Sequence, residues 1–190
     1  APEQNFTYIL GFEPKTSFVI DIRRLKMLEH LLYKAIFEIS QDRADFVSTL
    51  FSRPRPKGLT DKTGVRELFK AYDNLALDNA LLEENLKRVR SQLMVKHQFP
   101  LSEDDEVKIR YVLSNFALAG PGLTYSFLGS YYQGTLGMPT YRQLMADTDG
   151  KGHNWSFLAT EEAFRKIQDI QRKNLIVPLV GDFAGPKTIR

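Results

Sequence analysis

Cysteine is absent from this chain of 190 residues, and so is any long apolar run. Without cysteine, disulfide bonds, thiolate metal sites and cysteine nucleophiles are excluded. No apolar run approaches the roughly 20 residues of a transmembrane helix, and the first residues lack the features of a signal peptide. The net charge of +3, from 26 basic and 23 acidic residues, is too small to indicate nucleic-acid binding. We therefore expect a cytoplasmic protein with neither a membrane span nor a nucleic-acid partner.

Metal-binding patterns are equally sparse. Residues 147–152 resemble the start of a calcium-binding loop, but Lys151 and Leu158 occupy the fifth and twelfth positions, where such a loop uses Asp or Asn and Glu. His97 and His153 have no partner at the spacing of metal ligands. The sequence therefore predicts no metal site.

Apolar residues make up 43% of the chain, which is enough to bury a core. Their spacing predicts helices over residues 2–11, 24–40, 42–52, 64–97, 102–118 and 160–173. Two short apolar runs, at residues 17–22 and 175–180, predict buried parallel strands. Residues 120–154 are rich in Gly and Tyr, and we expect them to be irregular.

The two predicted strands are separated by a mostly helical stretch. Two strands do not form a stable sheet by themselves, and a crossover of roughly 150 residues is unusually long. The pattern predicts an α/β fold, namely a partial Rossmann-like parallel sheet with a large, mainly helical insertion. We assign residues 1–54 and 156–190 to the Rossmann-like part and residues 55–155 to the insertion. On this hypothesis the chain is a piece of a longer polypeptide that supplies the other strands.

Each predicted strand ends in an acid, namely Asp21 in the first and Asp182, two residues after the apolar run, in the second. Ligands of doubly wound sheets bind at the carboxyl ends of the strands, so we expect Asp21 to hold ribose hydroxyls and Asp182 to accept from an adenine amino group. The alternative for each is a solvated acid. The helix amino end at Glu3, Gln4 and Asn5 then faces the cofactor, and Glu3 favours a cationic or zwitterionic ligand such as S-adenosylmethionine over a pyrophosphate.

Other side chains are candidates for the substrate part of the site. His30 is a candidate acid–base group, and its alternative is a half-buried helix contact. Arg23 either pairs with Asp21 or Asp182 or holds an anionic substrate. The segment 120–155 is either a lid or substrate loop, or a packed irregular connection. Its candidate residues are Tyr125, Tyr131, Tyr132, Asn154 and Trp155.

Several segments together resemble a known group of proteins. They are Pro2-Glu3-Gln4-Asn5-Phe6-Thr7-Tyr8-Ile9, Val19-Ile20-Asp21-Ile22-Arg23-Arg24, Leu28-Glu29-His30-Leu31-Leu32-Tyr33-Lys34-Ala35, Arg43-Ala44-Asp45-Phe46, Leu50-Phe51-Ser52-Arg53-Pro54, Asn174-Leu175-Ile176-Val177-Pro178 and Gly181-Asp182-Phe183-Ala184-Gly185-Pro186-Lys187. Over most of the chain they resemble an uncharacterised bacterial family whose members are similar to class I S-adenosylmethionine-dependent methyltransferases.

This resemblance implies a Rossmann-like fold in which Asp21 holds the ribose and Asp182, with Phe183, lies near adenine. Ile22 and Arg23 adjoin Asp21, and we expect them beside the cofactor. The glycine motif of that fold's first strand, and its fourth strand with the usual catalytic residues, have no counterpart in this sequence.

The sequence thus predicts a methyltransferase-like protein that binds the small-molecule cofactor S-adenosylmethionine and acts on an unknown acceptor. Two alternatives stay open. One is a non-catalytic Rossmann-like binding or scaffold protein. The other is a dinucleotide-dependent oxidoreductase, which requires a G-x-G-x-x-G run upstream of Ala1.

Overall fold

A computed structural model describes residues 2–124 and 139–185. The elements in chain order are α1 (Pro2–Phe12), β1 (Ser17–Asp21), α2 (Arg24–Ile39), α3 (Arg43–Phe51), α4 (Val65–Lys70), α5 (Asn79–Arg90), a π-helical turn (Ser91–Lys96), α6 (Glu103–Ala119), a 3-10 turn (Gly120–Gly122), α7 (Tyr141–Ala146), α8 (Glu161–Arg172) and β2 (Ile176–Val180). The fold is therefore a mixture of helix and strand in which helix predominates.

The two strands pair in parallel, as the sequence predicts. The register runs from Ser17 opposite Ile176 to Asp21 opposite Val180. One residue farther, the backbone N–H of Gly181 donates to the carbonyl oxygen of Asp21 at 3.1 Å. Both strands therefore end at the same edge, which we call the carboxyl edge of the sheet.

Helix α2 lies at the centre of the core. Its apolar face is fully buried and packs against α1, α3, α6, α8 and the inner face of the sheet. Beside it is a cluster of rings with many centroids 4.6–5.6 Å apart, formed by Phe6, Phe37, Phe46, Phe157 and Phe164. Aromatic pairs in such tilted and edge-on arrangements stabilise a core beyond the area they bury. Residues 1–54, 55–155 and 156–190 each contribute buried side chains to this one core.

The structure confirms two parallel strands and most of the predicted helices. The strands, however, are only partly buried, with Phe18 64% exposed. The nearly continuous helix predicted over residues 64–97 is interrupted between α4 and α5. Asp78 ends the break, because its carboxylate accepts hydrogen bonds from the backbone N–H groups of Ala80 and Leu81 at 2.9 and 3.0 Å. The backbone N–H of Asp78 also donates to Ser52 at the end of α3. This N-cap starts a new helix where the apolar spacing alone predicts continuity.

A buried arginine joins three of the segments around α3. The Arg53 guanidinium donates to the carbonyl oxygens of Phe51, Leu75 and Ala117 at 2.8–3.0 Å. Gly120 lies against this guanidinium. Its φ of +61° and ψ of −159° form a conformation that essentially only glycine adopts. The absence of a side chain at Gly120 is what admits the guanidinium.

No helix in residues 2–124 or 139–185 combines the length and the apolar composition that crossing a membrane requires.

Candidate functional site

A cavity of about 390 Å³ lies at the carboxyl edge of the sheet, and we call it the edge cavity. Its volume falls within the range typical of small-molecule sites. Residues of α1, β1, α2 and the segment around the end of β2 line it: Pro2, Asn5, Phe18, Val19, Ile20, Asp21, Arg23, Lys26, Met27, His30, Leu179 and Phe183. The edge cavity thus brings together five of the residues that the sequence predicts for the site: Asn5, Asp21, Arg23, His30 and Phe183.

The Asp21 carboxylate is held by Arg23. Its Oδ1 accepts from the backbone N–H and the Nε of Arg23 at 2.8 and 2.9 Å, and its Oδ2 accepts from Nη2 at 2.8 Å. The side-chain hydrogen bonds from Arg23 lower the pKa of Asp21 to about 2. Asp21 is therefore ionised at neutral pH and can act only as a hydrogen-bond acceptor. Of the alternatives for Arg23, the structure has the pairing with Asp21.

A second ion pair lies beside the first. The Lys26 Nζ is 2.6 Å from Oε2 of Glu29, whose side chain is buried. The two cationic side chains that line the edge cavity, Arg23 and Lys26, thus each pair with a carboxylate. The cavity wall therefore carries little net charge.

His30 lies in the wall as a neutral imidazole. Only 5% of it is exposed, and its ring contacts Phe6 edge-on. Burial, supported by the nearby Lys26 charge, lowers the pKa of His30 to about 4. Its Nε2 lies 3.2 Å from Nδ2 of Asn5, and within the described residues its Nδ1 has no hydrogen-bond partner. A group with that pKa is poorly matched to acid–base catalysis at neutral pH, although it can hydrogen-bond a ligand.

The first turn of α1 contributes only in part. Glu3 is buried and accepts a hydrogen bond from the hydroxyl of Tyr33, so it lies outside the lining of the edge cavity. Burial and then the Glu3 charge raise the pKa of Tyr141 on α7 well above its usual value. Gln4 is exposed and also lies outside the lining. Of the three residues predicted to face the cofactor from the amino end of α1, Asn5 is therefore the one that lines the edge cavity.

Of the predicted residues near the strand ends, some line the edge cavity and others do not. Phe183 lines the edge cavity with its ring 73% exposed, whereas Asp182 and Ile22 are exposed and do not line it. The Asp182 Oδ1 accepts from the backbone N–H of Ala184 at 3.0 Å, which closes a local turn. The adenine contact predicted for Asp182 thus has no geometric counterpart in the lining of this cavity.

The candidate substrate residues of the Gly- and Tyr-rich segment lie elsewhere. Asn154 donates to the carbonyl oxygen of Met145 and accepts from the backbone N–H of Ser156, both at 2.8 Å, so its amide holds a loop together. The Trp155 Nε1 donates to Asp149 at 3.0 Å. Neither residue lines the edge cavity. The candidates that fall outside the described residues are Tyr125, Tyr131 and Tyr132.

Some lining residues are absent from the sequence-based prediction. Lys26 and Met27 lie in the first turn of α2, and Phe18 and Ile20 belong to β1. The position of Lys26 just after a strand-terminal acid is a signal that could have identified it. The apolar strand residues carry no such signal, because a strand that is predicted to be buried gives no reason to expect a cavity beside it.

The comparisons with known proteins supply no further constraint. Neither a protein-family model, nor a curated protein, nor a solved structure matches this chain. Among residues 2–124 and 139–185, no three His, Asp or Glu side chains converge in a group that could hold a metal ion. Functional inference therefore rests on the geometry of the edge cavity.

Proposed function

We propose that the edge cavity binds the adenosyl group of S-adenosylmethionine, and that the chain is methyltransferase-like. The observation that carries this proposal is the position of Asp21, an ionised acid at the end of a parallel strand and in the wall of a cavity. Ribose hydroxyls are donors and a carboxylate is an acceptor, so the two are complementary. Phe183 offers an exposed aromatic face on the neighbouring strand end, against which a purine ring can stack.

The present partner of Asp21 determines how ribose binds. A carboxylate has about four acceptor positions, and Arg23 fills three of them. One ribose hydroxyl can therefore bind directly, whereas two require the Arg23 side chain to move. That side chain is 54% exposed, so it can turn into solvent when its ion pair with Asp21 opens. Arg23 is thus a competitor for the carboxylate that the ribose needs.

The paired charges of the wall favour S-adenosylmethionine over a dinucleotide. A pyrophosphate is typically held by cations with unfilled hydrogen-bonding capacity or by a helix amino end. Arg23 and Lys26 are already paired with acids. A cofactor with a small net charge suits such a wall better than a dianion does.

The hydrogen-bond ladder supports a wider, Rossmann-like sheet. The carbonyl oxygen of Leu175 accepts from β1, and the backbone N–H of Gly181 donates to β1. Backbone groups of alternate residues point to opposite sides of a strand, so those of Pro178 point away from β1. Because proline has no backbone N–H group to donate, it suits the unpaired side of an edge strand. On β1 the outward residues Phe18 and Ile20 keep their N–H groups, and Phe18 is 64% exposed. We propose that further strands pair on the β1 side, where they would cover Phe18 and Ile20 and leave to the ligand the part of the edge cavity beside Asp21, His30 and Phe183.

Catalysis in such a site depends on orientation more than on acid–base groups. His30 has a pKa of about 4, and Lys26 is paired with Glu29. His30 is therefore too weak a base to remove a proton efficiently at neutral pH, and the ammonium group of Lys26 is engaged by a carboxylate. Proximity and alignment of two bound reactants can by themselves account for a large part of a rate enhancement.

A non-catalytic binding or scaffold protein is the second candidate. The observation that favours it is that Arg23 donates three hydrogen bonds to the Asp21 carboxylate. These bonds leave the carboxylate about one free acceptor position. A module that has lost its cofactor can keep such a closed pair without penalty.

Chemical-shift mapping by NMR separates these candidates. On titration with S-adenosylhomocysteine we expect shifts at Asn5, at residues 21–26, at His30 and at Phe183. Asp21→Asn should weaken this binding, whereas Asp169→Asn, which removes an exposed acid on α8, should not. Absence of shifts, or shifts confined to other surfaces, would reject adenosyl binding at this edge and leave the scaffold candidate.

A further inference from the structure

A second cavity, of about 690 Å³, lies between α4 and α7. It shares no lining residue with the edge cavity, and we call it the interhelical cavity. None of the residues singled out from the sequence as candidates for a site lines it. Its volume is within the range of sites that enclose small organic molecules.

Cationic side chains from both helices line the interhelical cavity. Arg66 and Lys70 lie one helical turn apart on α4, and Arg142 comes from α7. Arg142 forms an ion pair with Asp73. Within the described residues, Arg66 and Lys70 have no carboxylate partner. Like charges four residues apart repel each other weakly on a helix, so an anion between the Arg66 and Lys70 side chains would relieve this repulsion.

An apolar surface accompanies these charges. Pro139 and Leu144, which are both exposed, contribute to the lining. Inorganic ions do not use such a surface, whereas an organic anion can place its hydrocarbon part on it. The cavity thus offers positive charge and apolar contact to the same ligand.

We infer that the interhelical cavity binds an organic phosphate monoester. Its phosphate lies against Arg66 and Lys70, and its apolar part lies against Pro139 and Leu144. Asp147 also lines the cavity and repels anions. Its charge disfavours polyphosphates, whose additional phosphate groups extend the negative charge farther from the two cations. This site is independent of the adenosyl proposal, since it uses other residues.

Phenyl phosphate is a suitable probe, because it joins a dianion to one ring. On titration we expect NMR shifts concentrated in residues 64–73 and 140–148. Arg66→Gln with Lys70→Gln should weaken the affinity about fivefold, as expected for the loss of two exposed charge pairs. Asp147→Asn should strengthen it about twofold, because it removes a repulsive charge. The effects should shrink as salt is added.

Matched controls make the result decisive. Lys166→Gln with Lys173→Gln removes two exposed charges from α8, where both lysines pair with other acids, and should leave the affinity unchanged. Phenol should bind far more weakly than phenyl phosphate, and so should inorganic phosphate. The inference is overturned if the Arg66 and Lys70 variant binds as tightly as the control, if phenol binds as well, or if the shifts map to other surfaces.

Discussion

Replacing Arg23 with alanine tests whether this side chain competes with a ligand for Asp21. The guanidinium supplies two of the three hydrogen bonds that the carboxylate accepts, and the backbone N–H of residue 23 supplies the third. That third bond is retained in Arg23→Ala. Residue 23 precedes α2 in an extended conformation and makes no side-chain cap, so alanine should leave the start of α2 intact.

The magnitude follows from the geometry of the pair. The pKa of Asp21, about 2 in the folded protein, should rise toward its usual 3.8 in Arg23→Ala. Because the two side chains are 54% and 29% exposed, solvent screens the pair, and its contribution to folding is at most about 1 kcal/mol. The folded-state pKa is lowered, so this stabilisation is present above pH 3.8 and is lost as the pH falls toward about 2.

Ligand binding should respond in the opposite direction to stability. Arg23→Ala frees two acceptor positions on Asp21 for the two ribose hydroxyls. A hydrogen bond to a charged group contributes a net of about 1.5–3 kcal/mol, with the exchange against water already included. Taking the lower limit, for one additional ribose hydroxyl, we expect S-adenosylhomocysteine to bind about tenfold more tightly to Arg23→Ala.

The assay combines a carboxylate titration by 13C NMR with calorimetry of S-adenosylhomocysteine binding. Arg90→Ala is the matched control, since Arg90 forms a comparable exposed ion pair with Glu106 away from the edge cavity. A pKa of Asp21 that stays near 2 in Arg23→Ala would refute the assigned cause of the shift. Weaker ligand binding by Arg23→Ala would mean that Arg23 contacts the ligand instead of competing with it.

Two further predictions concern the buried groups of the fold. A Cβ at position 120 would lie 2.4–2.7 Å from the Arg53 guanidinium, and the φ of +61° is strained for alanine. Gly120→Ala should therefore lower the free energy of unfolding by about 2–4 kcal/mol in urea, whereas Gly150→Ala, in open space, should change it little. His30, with its pKa lowered from 6.5 to about 4, should make stability fall as the pH drops between these values and level off below. The loss is about 3 kcal/mol, and an equally steep decline in His30→Gln would disprove this origin.

The helices and strands were largely predictable because their signals are local. The apolar stripe of α2, the Ser102 cap of α6 and the Thr160 cap of α8 each depend on residues within one or two turns. The apolar spacing does not reveal the break before α5, which is marked only by Asp78, a good N-cap. Helix α7 begins at a capping box formed by Thr140 and Gln143, in a segment expected to be irregular.

The candidate site was predictable only where chain topology determines it. Parallel pairing of two strands necessarily brings Asp21 and the start of the segment after β2 to one edge. The direction of individual side chains depends on partners that are distant in sequence. Glu3 lies in the core because Tyr33, thirty residues away, donates to it. The sequence offers Asp21 as one of several possible partners of Arg23, and only the structure identifies it as the partner.

The most direct test of adenosyl binding at the carboxyl edge is titration calorimetry of S-adenosylhomocysteine with the wild-type chain and with Asp21→Asn. We expect saturable binding by the wild-type chain, with a Kd below about 1 mM, and at least tenfold weaker binding by Asp21→Asn. Equal affinity of the two proteins, or no heat with the wild-type chain under conditions in which a known methyltransferase binds, would contradict the role assigned to Asp21.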